Sequence, residues 1–216
     1  MKRRAFSIAS SALIATAAWT ATEVQAQVKK PEEGTDFLAL PKPVQVEAPK
    51  GKIEVIEFFW YNCPHCNAFE PLLESWIKRL PKDIAFKRIP VAFDDSFVPQ
   101  QRLFYVLEAL NKVDELQFKV FNAIHTEKKD LKTQDKIADW VATQGINKAQ
   151  FVELYNSFSV STKARKAAQM QDAYKVSGVP AIGVAGRFYT DGGLAGSMEK
   201  ALNVTEYLAA EVRKGR

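Results

Sequence analysis

The fold of this chain is decided by residues 55–66, which read Val55-Ile56-Glu57-Phe58-Phe59-Trp60-Tyr61-Asn62-Cys63-Pro64-His65-Cys66. The first part is an apolar run that is typical of a buried strand. The second part holds the only two cysteines among 216 residues. Apolar residues then recur at helical spacing from Phe69 to Leu80, which predicts that a helix begins at the cysteine pair.

A Cys-x-x-Cys pair at the start of a helix is a redox motif with a physical basis. The i, i+3 spacing brings the two Cα atoms to about 5–6 Å, within the range of a disulfide, so Cys63 and Cys66 can close and open with little backbone movement. Pro64 suits the first helical position. The amides of His65 and Cys66 are then free to point at the Cys63 sulfur, and the positive helix end favours a thiolate there.

Two other interpretations of the pair are weaker. A static disulfide across so short a loop would constrain the unfolded chain very little. A zinc site needs three or four protein ligands, whereas the chain holds two Cys and two His, and His125 lies far along the sequence from the pair. We therefore expect no metal ion and no bound cofactor.

The N-terminal segment predicts an oxidising compartment. A basic cluster, Lys2-Arg3-Arg4, precedes an apolar run rich in small residues, and Val24 and Ala26 occupy the −3 and −1 positions of a cleavage site. This pattern is typical of a secretory signal peptide over residues 1–26. The apolar run is shorter than the ~20 residues of a membrane span. We expect a soluble mature protein in a compartment where disulfide chemistry is needed.

Composition excludes some functions. The whole chain carries a formal charge of +5, and removal of residues 1–26 takes away three bases and one acid, which leaves +3. So mild an excess supports no nucleic-acid role. With 47% hydrophobic residues, the chain can build a full core as one elaborated domain.

The order of predicted elements indicates the fold class. Prolines suggest an extended leader over residues 27–52, with a short edge strand at 37–40. Strands are predicted at 53–59, 84–91, 181–185 and 187–189, and a loop at 191–193. Helices are predicted at 63–79, 97–110, 113–125, 135–143, 147–158, 162–176 and 198–213.

Removing residues 94–160 leaves a β–α–β–α–β–β–α unit made of residues 53–93 and 161–216. The predicted fold class is therefore α/β, a thioredoxin-like fold with an inserted α-helical subdomain at 94–160.

A second motif, Gly178-Val179-Pro180, stands directly before the late strand. Together with Glu57-Phe58-Phe59, Cys63-Pro64-His65-Cys66, the helical block and the secretory signal, it resembles the DsbA family of periplasmic thiol oxidases over about residues 34–213. The resemblance implies a monomer that donates its Cys63–Cys66 disulfide to unfolded secreted proteins in the periplasm. It also implies reoxidation by the membrane quinone reductase DsbB.

The resemblance implies roles for single residues. Cys63 is the attacked sulfur, His65 adds a donor and partial charge beside it, and the Val179–Pro180 bond is cis and faces the cysteines. A cis bond there would leave the Val179 backbone free to pair with an extended peptide. Glu57 is either a proton acceptor for Cys66 or simply a paired buried charge. The sequence leaves open whether Lys87 or Arg88 is its partner, and what Asn62 contributes.

Two further functions remain open at this point. One is a periplasmic disulfide isomerase or reductant, although residues 27–52 are too short for the separate dimerisation domain of such isomerases. The other is a peptide-binding chaperone that keeps a vestigial disulfide. The reduction potential would separate an oxidase from a reductant, and loss of Cys63 would leave a pure chaperone unaffected.

Overall fold

The computed structural model describes residues 29–215. The signal peptide predicted at 1–26 lies outside these residues. From Pro31 onward the chain packs as one compact unit. Within the described range no helix combines the length and the apolar character that crossing a bilayer demands.

A five-stranded mixed sheet forms the centre of the molecule. The strands are β1 (Leu38–Ala39), β2 (Ile53–Phe59), β3 (Ile84–Pro90), β4 (Ala181–Val184) and β5 (Phe188–Asp191). Their spatial order is β1-β5-β4-β2-β3, in which β2 and β3 run parallel and the other pairs run antiparallel. All seven residues of β2 are buried because both faces of the sheet are covered, which explains why five of the seven are apolar.

Helices cover both faces of this sheet. They are α1 (Pro64–Ile77), α2 (Val98–Ala109), α3 (Val113–His125), α4 (Gln134–Thr143), α5 (Lys148–Tyr155), α6 (Phe158–Ala173), α7 (Gly192–Ala195) and α8 (Met198–Arg213). Residues of α1 and α8 share one apolar core with Val55. Residues of α2 to α6 share the other core with Ile56 and Phe58. The predicted order of strands and helices, with a helical block between the halves of the sheet, is confirmed.

The predicted leader follows the outer edge of the sheet. Its edge strand is confirmed as β1, which pairs with β5. Val44 donates its amide proton to the Gly186 carbonyl at 2.7 Å. Gly186 sits in the hairpin turn at φ +66°, and a Cβ there would meet the Val44 carbonyl oxygen at 2.1 Å, so the turn requires glycine.

The predicted boundary between the last two helices before the late strands is wrong. Phe158 does not end a helix but begins α6, because the Ser157 hydroxyl accepts a hydrogen bond from the Val160 amide and caps that helix. The apolar stripe continues across the break and therefore hides it from a periodicity argument. As a result, the predicted end of the insertion at residue 160 falls inside α6.

The loop predicted at 191–193 is also wrong. Asp191 is the last residue of β5, and its carboxylate accepts the Leu194 amide proton at 2.8 Å. This cap starts the short helix α7 despite two successive glycines, Gly192 and Gly193.

Candidate functional site

Cys63 occupies the cap position directly before α1. Its φ and ψ are extended, and Pro64 follows within the first helical turn. The Cys63 carbonyl accepts the Asn67 amide proton at 3.1 Å, the first hydrogen bond of the helix. Cys63 is 7% exposed and Cys66, one turn inside, is fully buried. The two thiols are not joined by a disulfide in this structure.

The environment of Cys63 favours its thiolate. The Cys66 thiol, which donates to the Cys63 sulfur, is the largest cause that lowers the pKa of Cys63 to about 6. The backbone amides of Cys66 and His65 lower it further, burial opposes them, and the charge of the His65 ring contributes least. Peptide N–H groups at a helix start are thus more important here than the imidazole.

Cys66 has the opposite tendency. Burial raises the pKa of the Cys66 thiol strongly, and the Cys63 and Glu57 charges raise it further, while the Trp60 amide lowers it. One sulfur of the pair therefore ionises near neutral pH and the other keeps its proton. This asymmetry gives the two cysteines different chemical roles.

The lowered pKa of Cys63 predicts how stability depends on pH. A thiol whose folded pKa lies below its unfolded value stabilises the fold at alkaline pH, and this contribution is lost as the pH falls through about 6. We expect the stability of the reduced form relative to the oxidised form to be larger at pH 8 than at pH 5 by on the order of 1–2 kcal/mol, after allowance for solvent near the sulfur. Calorimetry on both forms measures it.

The oxidised protein supplies the reference in that measurement, since it has no thiol to titrate but retains every carboxylate. Reduced Cys63→Ser protein should not show the gain. A difference between the two forms that does not change with pH would contradict the thiolate assignment.

The second sequence motif lies against the cysteines. The Val179–Pro180 peptide bond is cis, as the resemblance implied, and the Cys63 Sγ is 3.4 Å from the Val179 carbonyl oxygen. Val179, Pro180, His65 and Met198 line a surface cavity of about 370 Å³. Val179 therefore borders this cavity and also contacts the Cys63 sulfur through its carbonyl oxygen.

A buried cluster of charges occupies the neighbouring interior. Arg88 is the partner of Glu57, with its Nε 3.6 Å from Glu57 Oε2. Its Nη1 is 2.6 Å from Glu70 Oε1 and its Nη2 is 2.7 Å from Glu74 Oε1, so one guanidinium faces three carboxylates. Glu57 and Glu70 are fully buried, and Glu74 extends to the surface. Sequence reasoning missed both helix carboxylates, although their i, i+4 spacing on α1 was a usable signal.

Strand register explains the choice between Arg88 and Lys87. Glu57 is the direct partner of Arg88 in the parallel β2–β3 pair, so their side chains leave the same face of the sheet. Lys87 points to the other face, where its Nζ lies 3.0 Å from Glu54 Oε2 and 3.1 Å from Glu47 Oε2.

Burial dominates the ionisation of Glu57. It raises the pKa of the Glu57 carboxyl to about 8, and the attraction of Arg88 only partly offsets it. Both carboxyl oxygens lack a hydrogen-bond partner, which is consistent with the long distance to Arg88. A carboxyl group of this kind exchanges a proton near neutral pH, unlike an ordinary glutamate.

Comparison with known proteins is consistent with this geometry. A family model described as a DSBA-like thioredoxin domain matches residues 54–202. The chain is 41% identical over 203 residues to the thiol:disulfide interchange protein DsbA of Burkholderia cepacia, across 94% of this chain and 96% of that protein.

Solved structures show the same likeness. A variant of DsbA from Pseudomonas aeruginosa aligns with a TM-score of 0.83 and 38% identity, across 86% of this chain and 100% of that chain. The oxidoreductase DsbA from Xylella fastidiosa aligns with a TM-score of 0.80 and 29% identity, across 86% of this chain and 100% of that chain. The thioredoxin-like fold with inserted helices is thereby confirmed, and this chain belongs to the DSBA-like thioredoxin domain family.

Proposed function

We propose that this protein is a thiol:disulfide oxidoreductase that donates a Cys63–Cys66 disulfide to newly secreted, unfolded proteins in the periplasm. The observation that carries the proposal is the unequal pair of thiols at the start of α1. One has a pKa of about 6 and borders the surface, and the other is fully buried. The relatives named thiol:disulfide interchange protein support the same reaction class.

The reaction proceeds by two exchanges at sulfur. A substrate thiolate attacks Cys63 of the disulfide, the substrate–Cys63 bond forms, and Cys66 leaves as a thiolate that takes up a proton. A second substrate thiolate then attacks the substrate sulfur, a substrate disulfide forms, and Cys63 leaves as a stabilised thiolate. The substrate loses two electrons, which the cysteine pair gains, and the low pKa of Cys63 makes it a good leaving group.

Glu57 supports this reaction as the proton-exchanging group for Cys66. Its charge acts on the Cys66 thiol, and its own pKa of about 8 lies close to neutral pH. The other possibility, that Glu57 is only a paired buried charge, has less support, because its oxygens have no hydrogen-bond partner although Arg88 is near.

Substrate recognition takes place beside Val179. The Val179 carbonyl oxygen lies 3.4 Å from the Cys63 sulfur and Val179 borders the surface cavity, so an extended chain that pairs with this backbone would bring its own cysteine to Cys63. Such recognition through backbone hydrogen bonds suits unfolded proteins of many sequences. We further propose that the protein acts as a monomer and is reoxidised by the membrane quinone reductase DsbB.

Oxidation of reduced, unfolded ribonuclease tests the proposed function. The oxidised protein should restore ribonuclease activity in stoichiometric amounts, and Cys63→Ala protein should restore none. A redox titration against glutathione should show a potential more oxidising than the glutathione pair. A more reducing potential would assign a reductant instead, and refolding assistance that persists without Cys63 would assign a chaperone.

His65 should have only a modest influence on the redox chemistry. Its backbone amide acts on the Cys63 thiolate more strongly than its ring does, and a substitution keeps the amide. We expect His65→Ala to raise the pKa of Cys63 by less than about one unit, which corresponds to a potential lower by at most ~30 mV. Thiolate absorbance against pH and the glutathione titration measure both quantities, and a shift of several units would show that the ring dominates.

A further inference from the structure

Residues 60–63 form the loop between β2 and α1. Helix α3 binds this loop through two groups of Tyr61, its hydroxyl and its carbonyl oxygen. The Tyr61 hydroxyl donates to Gln117 Oε1 at 2.6 Å. His125 Nε2 lies 2.8 Å from the Tyr61 carbonyl oxygen, and since a carbonyl only accepts, His125 is the donor. The Tyr61 side chain is fully enclosed and packs edge-on against Phe121. Both the backbone and the side chain of Tyr61 are therefore fixed by one helix.

The orientation of His125 is itself set by α3. Its ring stacks on Phe121, four residues earlier on the helix, with 6.1 Å between centroids and 28° between planes. His125 is the last residue of α3, so it stands where the inserted helices meet the loop. The stack holds the ring in place with Nε2 towards Tyr61, although the side chain is only half-buried.

The loop at 60–63 contains Cys63 and influences Cys66. Cys63 donates its amide proton to the Trp60 carbonyl at 3.1 Å, which closes the loop before α1. The Trp60 amide lowers the pKa of the Cys66 thiol, in opposition to burial and to the charges of Cys63 and Glu57. Movement of this loop would thus displace Cys63, its last residue, relative to Cys66 on α1.

We propose that His125 is a positioning residue for the step in which Cys66 resolves a mixed disulfide at Cys63. In this step the Cys66 thiolate attacks the Cys63 sulfur, the Cys63–Cys66 bond forms, and the partner sulfur leaves as a thiolate. His125 fixes the Tyr61 carbonyl at 2.8 Å, and Tyr61 lies inside the turn that the Cys63 amide closes on the Trp60 carbonyl at 3.1 Å. The contact therefore holds Cys63 in position for the attack by Cys66. The inference deepens the proposed function, because it assigns a role in the redox reaction to a residue of the inserted helices.

Reaction of the reduced protein with oxidised glutathione separates the two steps. Cys63 first forms a mixed disulfide with glutathione, and Cys66 then displaces the glutathione. Acid-quenched samples analysed by mass spectrometry follow both. In His125→Phe protein, which keeps the ring stack but has no donor, we expect the second step to slow by about fivefold, or ~1 kcal/mol, with the first step unchanged.

His125→Gln protein places an amide donor at similar reach and should resolve the mixed disulfide at the wild-type rate. Asn122→Ala is the matched control, since it removes the hydrogen bond between Asn122 and Glu127 at the same helix end without touching Tyr61. It should leave both steps unchanged. If His125→Phe protein fails to fold, His125→Asn, whose amide is too short to reach the carbonyl, takes its place.

A variant without the donor that melts at lower temperature yet resolves the mixed disulfide at the wild-type rate would show that His125 is only a structural tether. Equal slowing in the Asn122→Ala control would assign the effect to loosening of the helix end and would also overturn the proposal. The glutathione steps are measurable whether or not the wild-type protein oxidises ribonuclease. Failure of the proposed function and failure of this inference are therefore distinguishable.

Discussion

Cys66→Ala protein will accumulate mixed disulfides on Cys63. When the Cys63 thiolate attacks a disulfide, one partner sulfur leaves and the other stays bound until an intramolecular thiol displaces it. Without Cys66 that displacement must come from a dilute external thiol, and we expect the adduct to survive about 10³-fold longer. Non-reducing electrophoresis of the variant incubated with a disulfide-containing peptide, or isolated from periplasmic extract, measures the adduct.

Cys63→Ala protein is the matched comparison. Its remaining cysteine is fully buried, and its pKa is raised by burial, so it should form few adducts at neutral pH. Peptide mapping that located the adducts on Cys66 rather than Cys63 would reverse the assigned order of attack.

Arg88→Met should cost about 3–5 kcal/mol of unfolding free energy at pH 8, since it removes the guanidinium that pairs with the buried carboxylates. Glu57 and Glu70 are fully buried, and both already have a raised pKa because of burial. A carboxyl group whose pKa is raised in the folded protein destabilises the fold as the pH rises above the pKa that the group has in the unfolded chain. The loss in Arg88→Met protein should therefore be smaller at pH 4 than at pH 8, and urea unfolding at both values measures it.

Lys163→Met provides the control for that measurement. Lys163 pairs with Glu108 at the surface, where both side chains are more than 40% exposed, so its loss should cost no more than ~1 kcal/mol. Adding Glu70→Gln to Arg88→Met should recover part of the stability, because one buried carboxylate disappears. If Arg88→Met proves no more costly than Lys163→Met, the cluster does not depend on the guanidinium as described.

Strand β2 shows why much of the fold was predictable. The run at 53–59 is apolar except for Glu54 and Glu57, which indicates burial on both faces, and the predicted strand agrees with the observed one at both ends. The helix ends were harder to predict. The Ser157 hydroxyl caps α6 and the Asp191 carboxylate caps α7, each through one hydrogen bond. A single capping residue adds no periodic signal to the sequence. Such contacts occupy one residue each and leave the apolar pattern around them unchanged.

Local patterns were sufficient for the α/β class and the redox pair, because each depends on residues close together in the chain. The cis bond before Pro180 was implied by the family resemblance and not by a local pattern. Register and packing decided the rest. Alternation along β3 puts Lys87 and Arg88 on opposite faces, but only the alignment of β3 with β2 puts Arg88 beside Glu57. Likewise, 64 residues separate His125 from Tyr61, and only the packing of α3 against the loop brings them together. The physical reason is that contacts between residues far apart in the sequence depend on strand register and on the packing of the whole core. No single segment of the sequence contains that information.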